Sequence, residues 1–170
     1  MNNLNKIALG GGCHWCTEAV FQSLLGVANV EQGFVASNLE NKSFSEAVIV
    51  HYNQNDIALE TIIHIHLLTH KSTKNHSFRK KYRSAIYYYS TEQKTEIQSL
   101  LNKLQNEFEE LIITKNLAFI EFKHSDEAFT NYYVKNPEKP FCKTYINPKL
   151  NLLLSKFSTQ VDKSKLKHLK

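Results

Sequence analysis

Three of the chain's five glycines are consecutive, Gly10-Gly11-Gly12, and a cysteine follows them directly. Such a run is poorly suited to the interior of a helix or strand, because glycine has the most conformational freedom to lose. It marks a tight turn, and its flanks say what the turn joins. Residues 6–9 read as a short apolar strand. Residues 13–25 read as a helix, with Trp15, Ala19 and Leu24 on one face and Gly26 as its stop. Cys13 is therefore placed where a helix begins. Unsatisfied N–H groups and the positive end of the helix dipole favour an anion there, so a thiol loses its proton more readily and becomes a nucleophile. Cys16 follows one turn later, and Trp15 offers a flat apolar wall beside the sulfur.

Downstream, residues 27–35, 46–52, 85–89 and 118–122 read as strands, and 57–69, 91–109, 126–134 and 149–157 as helices. The long helix carries Ile97, Leu100, Leu101, Leu104 and Phe108 on one stripe. Pro137, Pro140 and Pro148 punctuate a loop between the last two helices. The order strand-helix-strand-strand-helix-strand predicts an α+β fold, a two-layer sandwich of the split βαβ (ferredoxin-like) type with a C-terminal extension. Residues 1–157 form a single catalytic domain in this reading, and 158–170 a basic, solvated tail in which Lys163, Lys165, Lys167 and Lys170 face only Asp162.

The 170 residues suffice for one well-buried core, and 42% hydrophobic with 22% charged residues is ordinary globular composition. No apolar run reaches membrane-spanning length and no secretory signal opens the chain, which predicts a cytoplasmic protein, expected to be a monomer without membrane partners. The net charge of +5 includes the knot Arg79, Lys80, Lys81 and Arg83. It lacks the interleaved aromatics or recognition helix of a nucleic-acid site, so no nucleic-acid partner is expected. Three cysteines, Cys13, Cys16 and Cys142, do not make a secreted disulfide framework. In a reducing compartment a C-x-x-C pair is catalytic or metal-binding. A zinc site built on Cys13, His14 and Cys16 lacks a second ligand pair, since Cys142 stands alone. His66 and His70, four apart on a helix, read as a half-buried or surface pair, and no metal or other cofactor is expected. Dithiol exchange through Cys13 and Cys16 stays open, although a Trp between the cysteines and no evident cis-proline loop set the chain apart from thioredoxin-like enzymes.

Several landmarks in order resemble the A-class peptide-methionine sulfoxide reductases. Gly11-Gly12-Cys13-His14-Trp15-Cys16 and the helix after it resemble the family's Gly-Cys-Phe-Trp signature. Ser45-Glu46-Ala47-Val48 is similar to its His-Ala-Glu strand, and Lys81-Tyr82-Arg83-Ser84-Ala85-Ile86 to its Gln-Tyr-Arg-Ser-Ala-Ile strand. Tyr133 to Pro137 and Phe141-Cys142 match its C-terminal region. The resemblance implies that Cys13 attacks the sulfoxide sulfur and that Glu46, a buried acid, protonates the departing oxygen. It implies that Tyr82 hydrogen-bonds that oxygen, and that Trp15, His14 and Phe34 line the substrate site. Cys13 then becomes a sulfenic acid. Cys142 is the expected resolving thiol, with Cys16 as alternative or relay, and thioredoxin or a similar dithiol is the expected reductant. Free or protein-bound methionine sulfoxide is the implied substrate, and a general dithiol oxidoreductase or a non-enzymatic descendant are the competing readings. The chain departs from the family pattern in carrying His14 for Phe, Ser77 for Asp, and a shortened loop between Phe34 and Glu46 without its Tyr.

Overall fold

The computed structural model describes residues 4–169. Residues 1–3 and the tail residue Lys170 lie outside the described residues. Six strands, β1 (Asn5–Gly10), β2 (Val27–Ala36), β3 (Ser45–Tyr52), β4 (Ala85–Tyr88), β5 (Lys115–Ala118) and β6 (Glu121–His124), form one sheet in the order β5-β4-β1-β3-β2-β6. All neighbours are antiparallel except β4 and β5. Helices α1 (His14–Gln22), α2 (Leu59–Thr69) and α3 (Thr91–Leu104) alternate with the strands, and α4 (Tyr132–Lys135) and α5 (Asn147–Lys156) follow them. The fold is mixed α+β. Among the described residues no helix is long and apolar enough to cross a membrane.

Strand periodicity sorts the side chains. Ile7 and Leu9 of β1 and Val48 and Val50 of β3 point into the main core, with Val20 and Phe21 of α1, Ile62 and Ile63 of α2, and Ile97 and Leu101 of α3. The intervening Ala8, Ala47 and Ile49 point to the other face, where they meet Val35, Ala85 and Tyr87. Phe119 and Phe122 cover this second cluster. The expected strand 118–122 is in fact the end of β5 and the start of β6, which lie on opposite edges of the sheet. Two residues, Phe119 and Ile120, connect them, so at that end the edges approach within the reach of three peptide units, roughly 11 Å. The sheet is therefore curled. Alanines at positions 8, 47 and 85 leave room on its concave side for the two phenylalanines.

Other boundaries moved for local reasons. The helix expected over 126–134 is a 3₁₀ turn, Glu127–Phe129, and the short α4, separated by Asn131 in the left-handed conformation at φ 54°. The expected proline-punctuated loop is helical from Cys142: one π turn, Cys142–Ile146, runs into α5, whose first turn accepts Pro148. The segment expected as a solvated tail is docked. Leu25 N–H donates to the Gln160 carbonyl at 2.8 Å, Asp162 N–H to the Ser23 carbonyl at 2.8 Å, and Val161 and Leu166 are buried.

Candidate active site

Gly11 ends the turn out of β1 at φ 156°, and a Cβ there would lie 2.4 Å from the His70 ring. Only glycine fits. Cys13 then caps α1, its carbonyl accepting from Cys16 N–H at 3.1 Å. Its thiol pKa is lowered, first because the Cys16 thiol donates to its sulfur, then through the Trp15 and Cys16 N–H groups; burial and the Glu46 charge oppose this. Cys16 is pushed the other way, since a donor to a thiolate holds its proton, and burial adds to the effect. All three cysteines are free.

Glu46 faces Cys13's helix from β3, paired in register with Phe34 of β2. It is buried. His14 N–H donates to its Oε1 at 3.1 Å, His14 Nε2 lies 3.4 Å from the same oxygen, and Lys81 Nζ lies 3.6 Å from Oε2. His14 Nδ1 reaches the Gly33 carbonyl at 2.9 Å, and the Phe34 ring meets the imidazole edge-on at 5.2 Å. Burial lowers the His14 pKa, against the raising influence of Glu46 and the Gly33 carbonyl. Tyr82 joins the group through Lys81, whose ammonium sits 5.1 Å above its ring, while Arg79 holds the Tyr82 carbonyl at 2.9 Å.

Trp15 stands on the other side of the cysteine and stacks on Tyr132 at 3.9 Å between centroids and 2° between planes. Phe141 meets Trp15 edge-on at 5.4 Å, and Phe129 lies at 6.2 Å with its ring inclined by 27°. This wall is held by Glu18, one of the buried acids, whose Oε1 accepts from Gln32 Nε2 at 3.0 Å and Tyr132 N–H at 3.3 Å, and Oε2 from Asn131 N–H at 3.0 Å. Composition and spacing gave no sign of Tyr132, Phe129 or Glu18. The available signal was an acid on α1 five residues after the nucleophile, on a helix otherwise packed into the core.

Beneath the glycine turn lies a polar floor. His66 Nε2 donates to the Gly10 carbonyl at 2.8 Å, and Arg79 Nη1 to the Gly11 carbonyl at 2.8 Å. His70 donates from Nδ1 to the His66 carbonyl and accepts at Nε2 from Ser84 Oγ at 2.7 Å. The two rings stack at 4.2 Å. Of the pair expected to be half-buried or at the surface, His66 is fully buried and His70 half-buried, because the glycine turn and β4 close over this face of α2. Burial drives His66 down to about 4 and His70 well below its ordinary range.

Cys142 is not on an open loop. It is fully buried in the π turn, its thiol donating to the Asn136 carbonyl at 3.5 Å, and burial pushes its pKa up. The structure therefore brings Cys13, His14, Phe34, Glu46, Lys81 and Tyr82 together and puts Trp15 beside them, while Cys16, one turn on along α1, and not Cys142, is the thiol that lowers the Cys13 pKa. A cleft of about 500 Å³ elsewhere, bordered by Val27, Val30, Tyr133 and His168, is lined by none of the three thiols.

The family model for peptide methionine sulfoxide reductase matches residues 5–162. The enzyme MsrA of Trichodesmium erythraeum is 34% identical, covering 93% of this chain and 98% of its own. MsrA of Psychrobacter sp. strain PRwf-1 is 32% identical, covering 94% and 100%. Among solved structures, Mxr1 of Saccharomyces cerevisiae in its reduced form aligns with a TM-score of 0.72 at 22% identity, over 84% of this chain and 91% of that one. Mxr1 in complex with Trx2 aligns at 0.61 and 21% identity, over 76% and 84%. A cysteine of lowered pKa at a helix start, a buried carboxyl beside it and an aromatic wall, together with these matches, place the chain in the peptide methionine sulfoxide reductase family.

Proposed function

We propose that the protein reduces methionine sulfoxide to methionine with Cys13 as nucleophile. The Cys13 thiolate attacks the sulfoxide sulfur while the oxygen takes one proton from Glu46. The S–O bond of the substrate breaks, two electrons pass to the methionine sulfur, and the hydroxyl remains on Cys13 as a sulfenic acid. Tyr82 and Phe34 border the oxygen side, and Trp15 encloses the methyl group. The observation that carries this reading is Cys13 at the start of α1, its pKa lowered by Cys16 and by helix N–H groups, beside the buried carboxyl of Glu46. Simple dithiol exchange has no use for that carboxyl.

A second thiol then condenses with the sulfenic acid, forming the disulfide and releasing water. The place of Cys16 one helical turn from Cys13, where it is the largest influence lowering the Cys13 pKa, favours Cys16 for this step, with Cys142, fully buried against α1's side of the core, taking the bridge afterwards. Thioredoxin or a similar dithiol returns the enzyme to its reduced form, in a reducing compartment such as the cytoplasm. The strand order β4-β1-β3-β2, with α1 and α2 as its crossovers, supports two interleaved split βαβ units as the core of this single catalytic domain.

The test is to give the reduced protein each epimer of a methionine sulfoxide peptide and count thiols lost and methionine formed. The S epimer should react, with two thiols lost per methionine, and Cys13→Ser should be inert. Equal rates on both epimers, or turnover by the serine variant, would refute the assignment.

A further inference from the structure

We propose that the cleft bordered by Arg79, Lys80, Arg83 and Lys115 is a binding site for a phosphate group, free or carried on a small ester. The cleft has a volume of about 370 Å³, and Glu40 is the one carboxylate among its lining residues. Three cations of the basic knot at residues 79–83 meet here, while the fourth, Lys81, turns to Glu46. Arg83 is the central group. Only 6% of it is exposed, yet among the described residues no carboxylate forms an ion pair with it. Its Nη2 donates to the Ser43 carbonyl at 2.5 Å and to Ser43 Oγ at 3.1 Å, and its Nη1 to the Tyr87 hydroxyl at 3.1 Å. These acceptors are all neutral, and a guanidinium has five N–H groups, so donors and the whole charge are left over. Buried charges are ordinarily paired, because a cation taken out of water without a counter-ion is costly.

Arg79 repeats the pattern. Its Nε donates to the Lys74 carbonyl at 3.0 Å, its Nη1 to the Gly11 and Tyr82 carbonyls at 2.8 and 2.9 Å, and its Nη2 to the Lys71 carbonyl. Lys115 Nζ reaches an amide oxygen, Asn41 Oδ1, at 3.4 Å, and Lys80 is exposed. Among the described residues none of the four cations, nor Glu40, is in an ion pair. Nearby Lys74, by contrast, is neutralised by Glu110 at 2.9 Å. Four cations against one acid leave the cleft strongly positive, and a compact oxyanion supplies what is missing. The guanidinium fork suits phosphate oxygens, and the two lysines add mobile point charges. The volume falls at the small end of ligand sites, about 300–1,000 Å³. No aromatic ring lines the cleft to stack a base, which favours a small phosphate over a nucleic acid. Because Arg79 also holds the Gly11 and Tyr82 carbonyls, an occupant stands one side chain away from the turn that carries Cys13.

The test is calorimetric titration of the reduced full chain with inorganic phosphate and with glycerol 3-phosphate, at neutral pH and at an ionic strength held constant with chloride. At least one probe should bind saturably, one molecule per chain, and raise the urea midpoint over the same concentration range. Tighter binding of inorganic phosphate assigns the free ion, and tighter binding of the ester assigns a phosphorylated small molecule. Lys80→Gln and Lys115→Gln, both at exposed side chains, should each weaken binding about two- to fivefold, and the double variant about tenfold. Lys163→Gln with Lys167→Gln removes the same charge elsewhere and should leave the affinity unchanged. In Arg83→Gln the phosphate-dependent rise in midpoint should vanish; if that variant does not fold, the exposed lysine variants decide. No saturable binding of either probe would overturn the site, as would equal affinity in the parent and the double lysine variant. An acidic peptide that binds more tightly than both probes would overturn the assignment to phosphate.

Discussion

An ordinary cysteine, with a pKa near 8.5, is mostly thiol at neutral pH. Two kinds of donor change that at Cys13: the N–H groups of Trp15 and Cys16, which any residue would supply at a helix start, and the Cys16 thiol, which is particular to this sequence. The second is the largest influence and is open to test. Cys16→Ala removes the donor, leaves the thiolate less stabilised, and should raise the Cys13 pKa. Cys16→Ser keeps an O–H donor and should raise it less. The pH dependence of Cys13 alkylation, followed by peptide mass in the reduced protein, reads both. An unchanged midpoint in the alanine variant would assign the thiolate to the helix start alone. Much at this scale was legible in the sequence: three glycines, a cysteine and a Trp define their own local geometry. The contact of His14 with Glu46 was not, because 32 residues separate them and only the pairing of β2 with β3 brings them together.

Between β1 and α1 the glycine turn is held from below by α2, through His66 on the Gly10 carbonyl, and by Arg79 on the Gly11 carbonyl. A neutral His66 is part of the folded state, and this fixes the sign of its linkage. Its pKa falls from 6.5 in the unfolded chain to about 4 in the fold, so the unfolded state binds the proton first as pH drops. Stability contributed by this group is complete above about pH 6.5 and is lost as pH falls toward 4, roughly 3 kcal/mol in all, with His70 acting in the same direction. Urea unfolding should therefore show a midpoint that is flat above neutrality and declines below about pH 6.5. His66→Gln, which keeps an N–H for Gly10 but does not titrate, should have a shallower decline. A midpoint constant down to pH 5 would contradict it. The sequence showed that positions 66 and 70 share a helix face, but not that the glycine turn and β4 cover that face. The stripe of α3 was easier to read, since Ile97, Leu101 and Leu104 face the core from a helix whose other side is exposed. Strands β5 and β6 merged into one in the sequence reading because apolar residues run from Leu117 through Ile120 and resume at Phe122. What divides them is the curl of the sheet, a property of all six strands.

At the scale of the whole molecule, the last residues decide how the catalytic helix is braced. Their lysines suggested a solvated tail, yet Val161 forms a bridge with Leu24, Leu166 is buried in the main core, and Lys165 Nζ donates to the Gln22 carbonyl at 2.9 Å, at the end of α1. A cation there also suits the negative end of the helix dipole. His168 contacts the Tyr133 hydroxyl at 2.5 Å, and that hydroxyl donates to Asn147 Oδ1 at 2.6 Å, so the segment also ties α4 to α5. Both helices flank the wall that meets Trp15: Tyr132 opens α4, and Phe141 and Cys142 lie just before α5. We therefore expect the segment after Phe157 to be a structural strap. Burying two aliphatic side chains stabilises by about 1.5–3 kcal/mol each, so ending the chain at Phe157 should lower unfolding free energy by roughly 3–6 kcal/mol. Leu166→Ala alone should lose roughly 2–5 kcal/mol. Lys163→Ala and Lys167→Ala, which touch nothing in the core, should stay within about 0.5 kcal/mol of the parent. Urea unfolding of the four proteins separates the alternatives. If the strap braces α1, the order of stability follows the buried apolar residues and ignores the lysines; if the segment is a loose basic tail, ending the chain at Phe157 leaves the midpoint where it was.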